Sequence, residues 1–162
     1  MFSNRLFNMF LAIAILTLIA MRSLGLAAHP ITAASGTFVS TSTTIISEME
    51  DKYNTITELN STVTYSGSLE GHSTVHGTLI VHQDGSGSFR GVETFTGTVN
   101  GISGTLTFEL VGNSDLYQSI QITNTITNGT GQLASLQGLL SKAGIIKDNG
   151  PVGTYTTQIT NQ

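Results

Sequence analysis

The chain has 162 residues, no cysteine, 10% charged residues and a formal net charge of −4. Without cysteine there is no disulfide framework, thiolate metal site or cysteine nucleophile, and the acidic balance argues against a nucleic-acid surface. A hydrophobic fraction of 39% supplies one core, so a single domain rich in Thr, Ser and Gly is expected, not a disordered chain.

Arg5 precedes an uncharged apolar run from Met9 to Met21, and small residues follow at Gly25, Ala27, Ala28, Ala33 and Ala34. Basic, then apolar, then small is the order of a secretory signal peptide. Residues 1–28 are therefore expected to be a leader, cut between about 27 and 34, which sends the domain to the medium, periplasm or cell envelope. The apolar run is shorter than the ~20 residues that span a bilayer, so no stable membrane span is expected after processing. Arg22 is an awkward charge for a cleavage region, and an uncleaved, membrane-anchoring N-terminal helix is the alternative. No cysteine follows to carry a lipid anchor. From Ala28 onward the basic residues are Lys52, Arg90, Lys142 and Lys147, set against all ten acids.

The rest of the chain, residues 36–160, reads as one all-β domain. Residues 36–46 are β-branched and form the expected first strand; residues 47–53 (SEMEDKY) read as a charged, solvated connection. A long second strand follows, with Leu59, Val63, Tyr65 and Gly67 on one face. If Leu69-Glu70-Gly71 makes a bulged turn, Tyr65 falls beside Val75.

The next three strands are specified by their turns. A three-residue loop, Gln83-Asp84-Gly85, with Gly85 left-handed, sets Val81 opposite Gly87, Leu79 opposite Phe89, Gly77 opposite Gly91 and Val75 opposite Glu93. A two-residue loop would slip the register by one and turn the core face outward. Asn100-Gly101 is a type I′ hairpin signal, placing Val99 opposite Ile102, Gly97 opposite Gly104, Phe95 opposite Leu106 and Glu93 opposite Phe108. The opposite face carries Arg90, Thr94, Thr96 and Thr98 against Ser103, Thr105, Thr107 and Glu109. Glu93 is thus the one charged residue on the apolar face of these three strands.

After a turn at residues 112–115, residues 116–127 alternate, with Leu116, Ile120, Ile122 and Ile126 inward beside Gln118 and Asn124. Residues 129–138 read as a glycine-bounded turn with one helical turn. Residues 139–146 are an expected strand, 148–151 a turn, and 152–159 a closing strand with Tyr155 and Ile159 inward. Seven or eight sequential antiparallel strands, each with one apolar face, hide their edges best as a closed up-and-down barrel. A two-sheet sandwich is the alternative.

The runs Gly67-Ser68-Leu69-Glu70-Gly71-His72-Ser73-Thr74, Asp84-Gly85-Ser86-Gly87-Ser88-Phe89, Gly91-Val92-Glu93-Thr94-Phe95-Thr96-Gly97, Gly101-Ile102-Ser103-Gly104-Thr105 and Gly129-Thr130-Gly131-Gln132-Leu133 together resemble the family known as domain of unknown function 3224. The resemblance covers residues 36–159 and implies a barrel similar to allene oxide cyclase, with eight strands around a lumen. The cyclases place a glutamate and polar groups in an apolar cavity, and Glu93 is the residue here whose position suggests such a role.

Glu93, among Val75, Phe89, Phe95 and Phe108, should have a raised pKa unless a donor reaches it, and so is the candidate general acid or base or ligand anchor. Tyr65, Glu93, Phe95, Phe108, Gln118 and Asn124 are the candidate ligand-binding residues. The competing explanation is that buried amides, phenol and carboxylate satisfy one another. His72, His76 and His82 fall on the outer face, and positions four apart on a strand are separated by ~13 Å, too far to share an ion bound at ~2 Å. No metal site, cofactor motif, phosphate loop or nucleophile elbow is present. Asn60-Ser61-Thr62 and Asn128-Gly129-Thr130 are glycosylation sequons. The leading expectation is an exported barrel that binds a small apolar molecule. A cyclase or isomerase using Glu93 is the second reading, and a filled barrel serving as an interaction module is the third.

Overall fold

The computed structural model describes residues 32–115 and 118–161. The expected leader lies outside the described residues, as do Leu116 and Tyr117. Eight strands among the described residues follow one another in chain order: β1 (Thr32–Glu50), β2 (Asn54–Gly67), β3 (Leu69–His82), β4 (Gly87–Val99), β5 (Ile102–Ser114), β6 (Ser119–Gly131), β7 (Leu136–Lys147) and β8 (Gly150–Asn161). Each pairs antiparallel with the next, and β1 pairs with β8 from Thr32↔Ile159 to Val39↔Val152. The sheet is a closed up-and-down barrel. The sandwich alternative falls, because the last strand returns to hydrogen-bond the first and leaves no second sheet.

The central register follows from local turn chemistry. Gly85 takes φ 85°, and His82 N–H donates to Ser86 O at 2.8 Å, which closes a three-residue loop. Asn100 and Gly101 take φ 49° and 81°, the left-handed pair of a type I′ turn. All eight expected pairings of β3, β4 and β5 occur, from Val81↔Gly87 to Val75↔Glu93 and from Val99↔Ile102 to Glu93↔Phe108.

Elsewhere the boundaries move. The first strand is not 36–46 but the whole of β1, and the acidic stretch expected as a loop is mostly strand, with Ser47↔Glu58 through Glu50↔Thr55 paired. Its charges point to solvent on a hairpin that runs past the β1–β8 ladder. Only residues 51–53 turn the chain, where the Asp51 carboxylate accepts the Tyr53 and Asn54 N–H groups at 2.7 and 2.8 Å. The β2–β3 turn lies at Ser68, so Tyr65 pairs with Gly71 and Val75 with Ser61. The expected turn would have placed Leu69 in a surface loop, whereas Leu69 is fully buried at the barrel end. Burial of that side chain selects the other register.

Strand β5 continues to Ser114, because Asn113 and Ser114 pair with Gln121 and Ile120. Where one helical turn was expected, β6 runs to Gly131 and a four-residue turn carries Leu133 inward, fully buried. The last hairpin is likewise tighter than expected: Lys147 pairs with Gly150, leaving Asp148 and Asn149 as its turn.

The two barrel ends differ. At one end, Leu69, Val99, Leu106, Leu133, Tyr155 and Ile159 fill the lumen. There Tyr155 Oη accepts the Leu69 N–H at 2.7 Å, tying β8 to the β2–β3 turn. A close approach of β3 and β4 at this end demands glycine at position 97. A Cβ there would sit 2.1 Å from Glu70 O and 2.8 Å from the Phe95 ring. Gly97→Val is expected to lower stability by about 3 kcal/mol, read as a drop in the urea midpoint at unchanged slope.

A candidate binding site in the barrel lumen

Side chains alternate across a strand, so the register above decides what meets inside. Glu93 on β4 and Lys142 on β7 are the buried charged side chains among the described residues, with exposures of 0% and 4%. Lys142 reaches across the lumen from β7, and its Nζ donates to Glu93 Oε2 at 2.7 Å. Asn124 Nδ2, from β6, donates to the same oxygen at 2.7 Å. Oε1 accepts the hydroxyl of Tyr65 at 2.6 Å and that of Ser73. A carboxylate offers about four lone-pair sites, and here donors from β2, β3, β6 and β7 take them all.

Donors reach the carboxylate, which is the condition under which its pKa was not expected to rise. Burial by itself pushes the Glu93 carboxyl up. The charge of Lys142 and the hydrogen bonds from Lys142, Ser73 and Tyr65 outweigh it, so Glu93 is held below the usual carboxylate range. Burial, followed by the negative charge of Glu93, raises the Tyr65 phenol well above its ordinary value. Glu93 is therefore an ionised anchor with its acceptor sites occupied, an arrangement unlike that of a general base poised near neutrality.

Of the expected ligand-binding residues, Tyr65, Glu93, Phe95, Phe108 and Asn124 all point inward and are buried. Phe95 stands edge-on to Tyr65 with ring centroids 5.6 Å apart, and Tyr155 does the same on another side. Tyr65 thus belongs to the network even though its register differs from the expected one. Gln118 does not. It is exposed in the β5–β6 turn with φ 66°, and its carbonyl accepts the Ile146 N–H at 2.9 Å. Strand β6 begins only at Ser119, so the alternation that placed Gln118 inside starts one residue too late.

Ser73 and Lys142 were not expected at the site. Ser73 lies on the odd-numbered row of Val75 and Leu79, so extending that row by one step finds it. Lys142 shares a row with Leu140 and Ile146, but the opposite row also holds Leu139 and Ile145, which hides the parity. The Oδ1 of Asn124 is buried without a hydrogen-bond partner, the one such side-chain atom among the described residues.

The other barrel end is open. A cavity of about 280 Å³ enters there, walled by Leu59, Val63, Leu79, Phe89, Leu110 and Ile120, with Phe38 and Lys142 also lining it. The Lys142 ammonium lies 5.0 Å from the Tyr65 ring centroid and 5.4 Å from that of Phe38. Glu93 does not line the cavity; Lys142 is the charged member of the pair that does.

The outer face carries the histidines, as alternation requires. His76 Nδ1 lies 2.9 Å from Asn60 Oδ1 and its Nε2 3.3 Å from Glu58, while His82 Nδ1 lies 2.8 Å from Asn54 Oδ1. Asn60 and Asn128, the two sequon asparagines, are both exposed.

No curated protein matches the sequence. A crystal structure of a protein of unknown function from the DUF3224 family of Shewanella oneidensis MR-1 is similar in fold, with a TM-score of 0.61 at 18% identity, covering 82% of this chain and 98% of that one. The family model described as "Protein of unknown function (DUF3224)" matches residues 34–157. That match runs from within β1 to within β8, and the chain belongs to the DUF3224 family.

Proposed function

We propose that the protein is an exported carrier or sensor that binds a small, mostly apolar molecule in the open half of its barrel. The observation that carries this reading is the asymmetry of the lumen, packed solid at one end and left as an apolar cavity of about 280 Å³ at the other. Eight strands give an interior just wide enough to be filled by side chains or to hold one small ligand, and this volume falls just short of the roughly 300 Å³ at which drug-sized pockets begin, which suits a small molecule. Apolar walls above a few convergent polar groups are the usual make-up of such sites. Export rests on Arg5 and the apolar run that follows it, and the β1–β8 ladder starts at Thr32, so cleavage at or before residue 31 spares every pair. The reading of Glu93 as a proton-transfer residue is less well supported, since its carboxylate is sealed beneath Lys142 and satisfied by four donors.

Native mass spectrometry on protein from the medium and envelope of its own host tests both parts. The expected spectrum shows a chain beginning near residue 28 with a small apolar molecule bound. Leu79→Trp fills the cavity from its wall without touching the ion pair. It is expected to displace that molecule while moving the melting temperature by only a few degrees. An empty protein, or retention by the tryptophan variant, contradicts the reading.

A further inference from the structure

We infer that the floor of the cavity recognises a neutral oxygen acceptor, a ketone, aldehyde or ester carbonyl, on an otherwise apolar ligand; this rests on the lumen reading above. An ammonium has three N–H donors. The hydrogen bond from Lys142 to Glu93 Oε2 uses one, and beyond it the ammonium meets the faces of Phe38 and Tyr65 and the cavity. Lys142 is 4% exposed, so a carbonyl oxygen entering from the open end would accept a charge-assisted hydrogen bond in a dry setting.

The net charge of the site selects the ligand class. Glu93 already neutralises Lys142, and the Glu93 carboxylate is itself fully buried. Lys147 and Asp148, exposed at the mouth, also line the cavity and carry opposite charges; at the floor a ligand carboxylate would bring a second anion against the one buried cation, leaving an uncompensated charge in low dielectric. A plain hydrocarbon would leave the ammonium donors facing apolar atoms. A neutral carbonyl satisfies the donor and adds no charge. Amine ligands are disfavoured by the ammonium itself.

The test uses three probes of similar size on the purified protein: acetophenone, ethylbenzene and benzoate. Titration followed by NMR is expected to show acetophenone binding about 10-fold tighter than ethylbenzene, the effect of one hydrogen bond to a charged donor. Benzoate is expected to bind more weakly than acetophenone. The infrared carbonyl stretch of bound acetophenone is expected to move to lower wavenumber, a readout that a purely structural lysine would not move. In the double variant Glu93→Gln with Lys142→Met, which keeps the floor neutral, the preference for acetophenone and the infrared shift should both disappear. Equal affinities for acetophenone and ethylbenzene with an unshifted stretch would overturn the carbonyl assignment and leave the apolar pocket standing. Tightest binding of benzoate would overturn it in favour of an anion site. Failure of all three probes would overturn the pocket together with it.

Discussion

Lys142→Met is expected to cost the fold about 3–5 kcal/mol, because it leaves the buried Glu93 carboxylate without its counter-charge, either to stay ionised in low dielectric or to take up a proton. That is a large share of the total stability of a domain this size, about 5–15 kcal/mol, so the variant should unfold at markedly lower urea concentration. Glu93→Gln is expected to cost a similar amount for the mirror reason: the Lys142 ammonium loses its anion, although an amide oxygen can still accept one hydrogen bond. The informative measurement is the double variant. With both charges gone, Tyr65, Ser73 and Asn124 retain an amide to bond, and the loss should fall well short of the sum of the two single losses. A coupling energy near zero would show that the two side chains do not act as a pair, and with it the description of the lumen floor would fail. Four strands contribute to this cluster, β2, β3, β4 and β7, with β6 adding Asn124 as a fifth. The ion pair therefore staples opposite walls of the barrel in addition to neighbours within the sheet.

Stability is expected to be greatest in a window bounded by two members of that cluster. The Glu93 carboxyl is held below its ordinary value of 4.5, so the folded state binds fewer protons there than the unfolded chain. Its contribution is fully present above that ordinary value and is lost as pH falls through the lower folded value. The Tyr65 phenol is raised well above its ordinary 10.0. Its contribution is fully present below that value and is lost as pH rises through the higher folded value. Urea unfolding from about pH 3 to 11 should trace a plateau with two falling limbs. Asp51 and Asp84, held low by hydrogen bonds within their own turns, add to the acid limb, and Tyr155, raised by burial, adds to the alkaline one. Difference profiles against Glu93→Gln and Tyr65→Phe isolate the two buried groups. An acid limb as steep in Glu93→Gln as in the parent protein would contradict the assignment.

Much of this architecture was legible in the chain because it depends on neighbours a few residues apart. Asn100-Gly101 and Gln83-Asp84-Gly85 each leave one workable turn, and period-two alternation then carries the register along β3, β4 and β5. The inward position of Glu93 follows from that parity alone. Where local rules had two solutions, packing chose. The β2–β3 register was decided by burial of Leu69, and Gln118 was left outside because β6 starts beyond it.

Residues close together in the chain thus carried the all-β class, the up-and-down strand order, the central register and the inward carboxylate, while the count of eight and the closure over a sandwich came from the pairing of β1 with β8. Only the tertiary structure decided what that carboxylate does. Lys142 stands 49 positions from Glu93 and on a strand with apolar residues on both faces, so no periodicity pairs them. They meet because closing β8 onto β1 brings β7 across from β4. The same closure, with Leu133 and Tyr155 filling one end, leaves the other end open, and a cavity is a property of how walls fit together, which no single strand encodes.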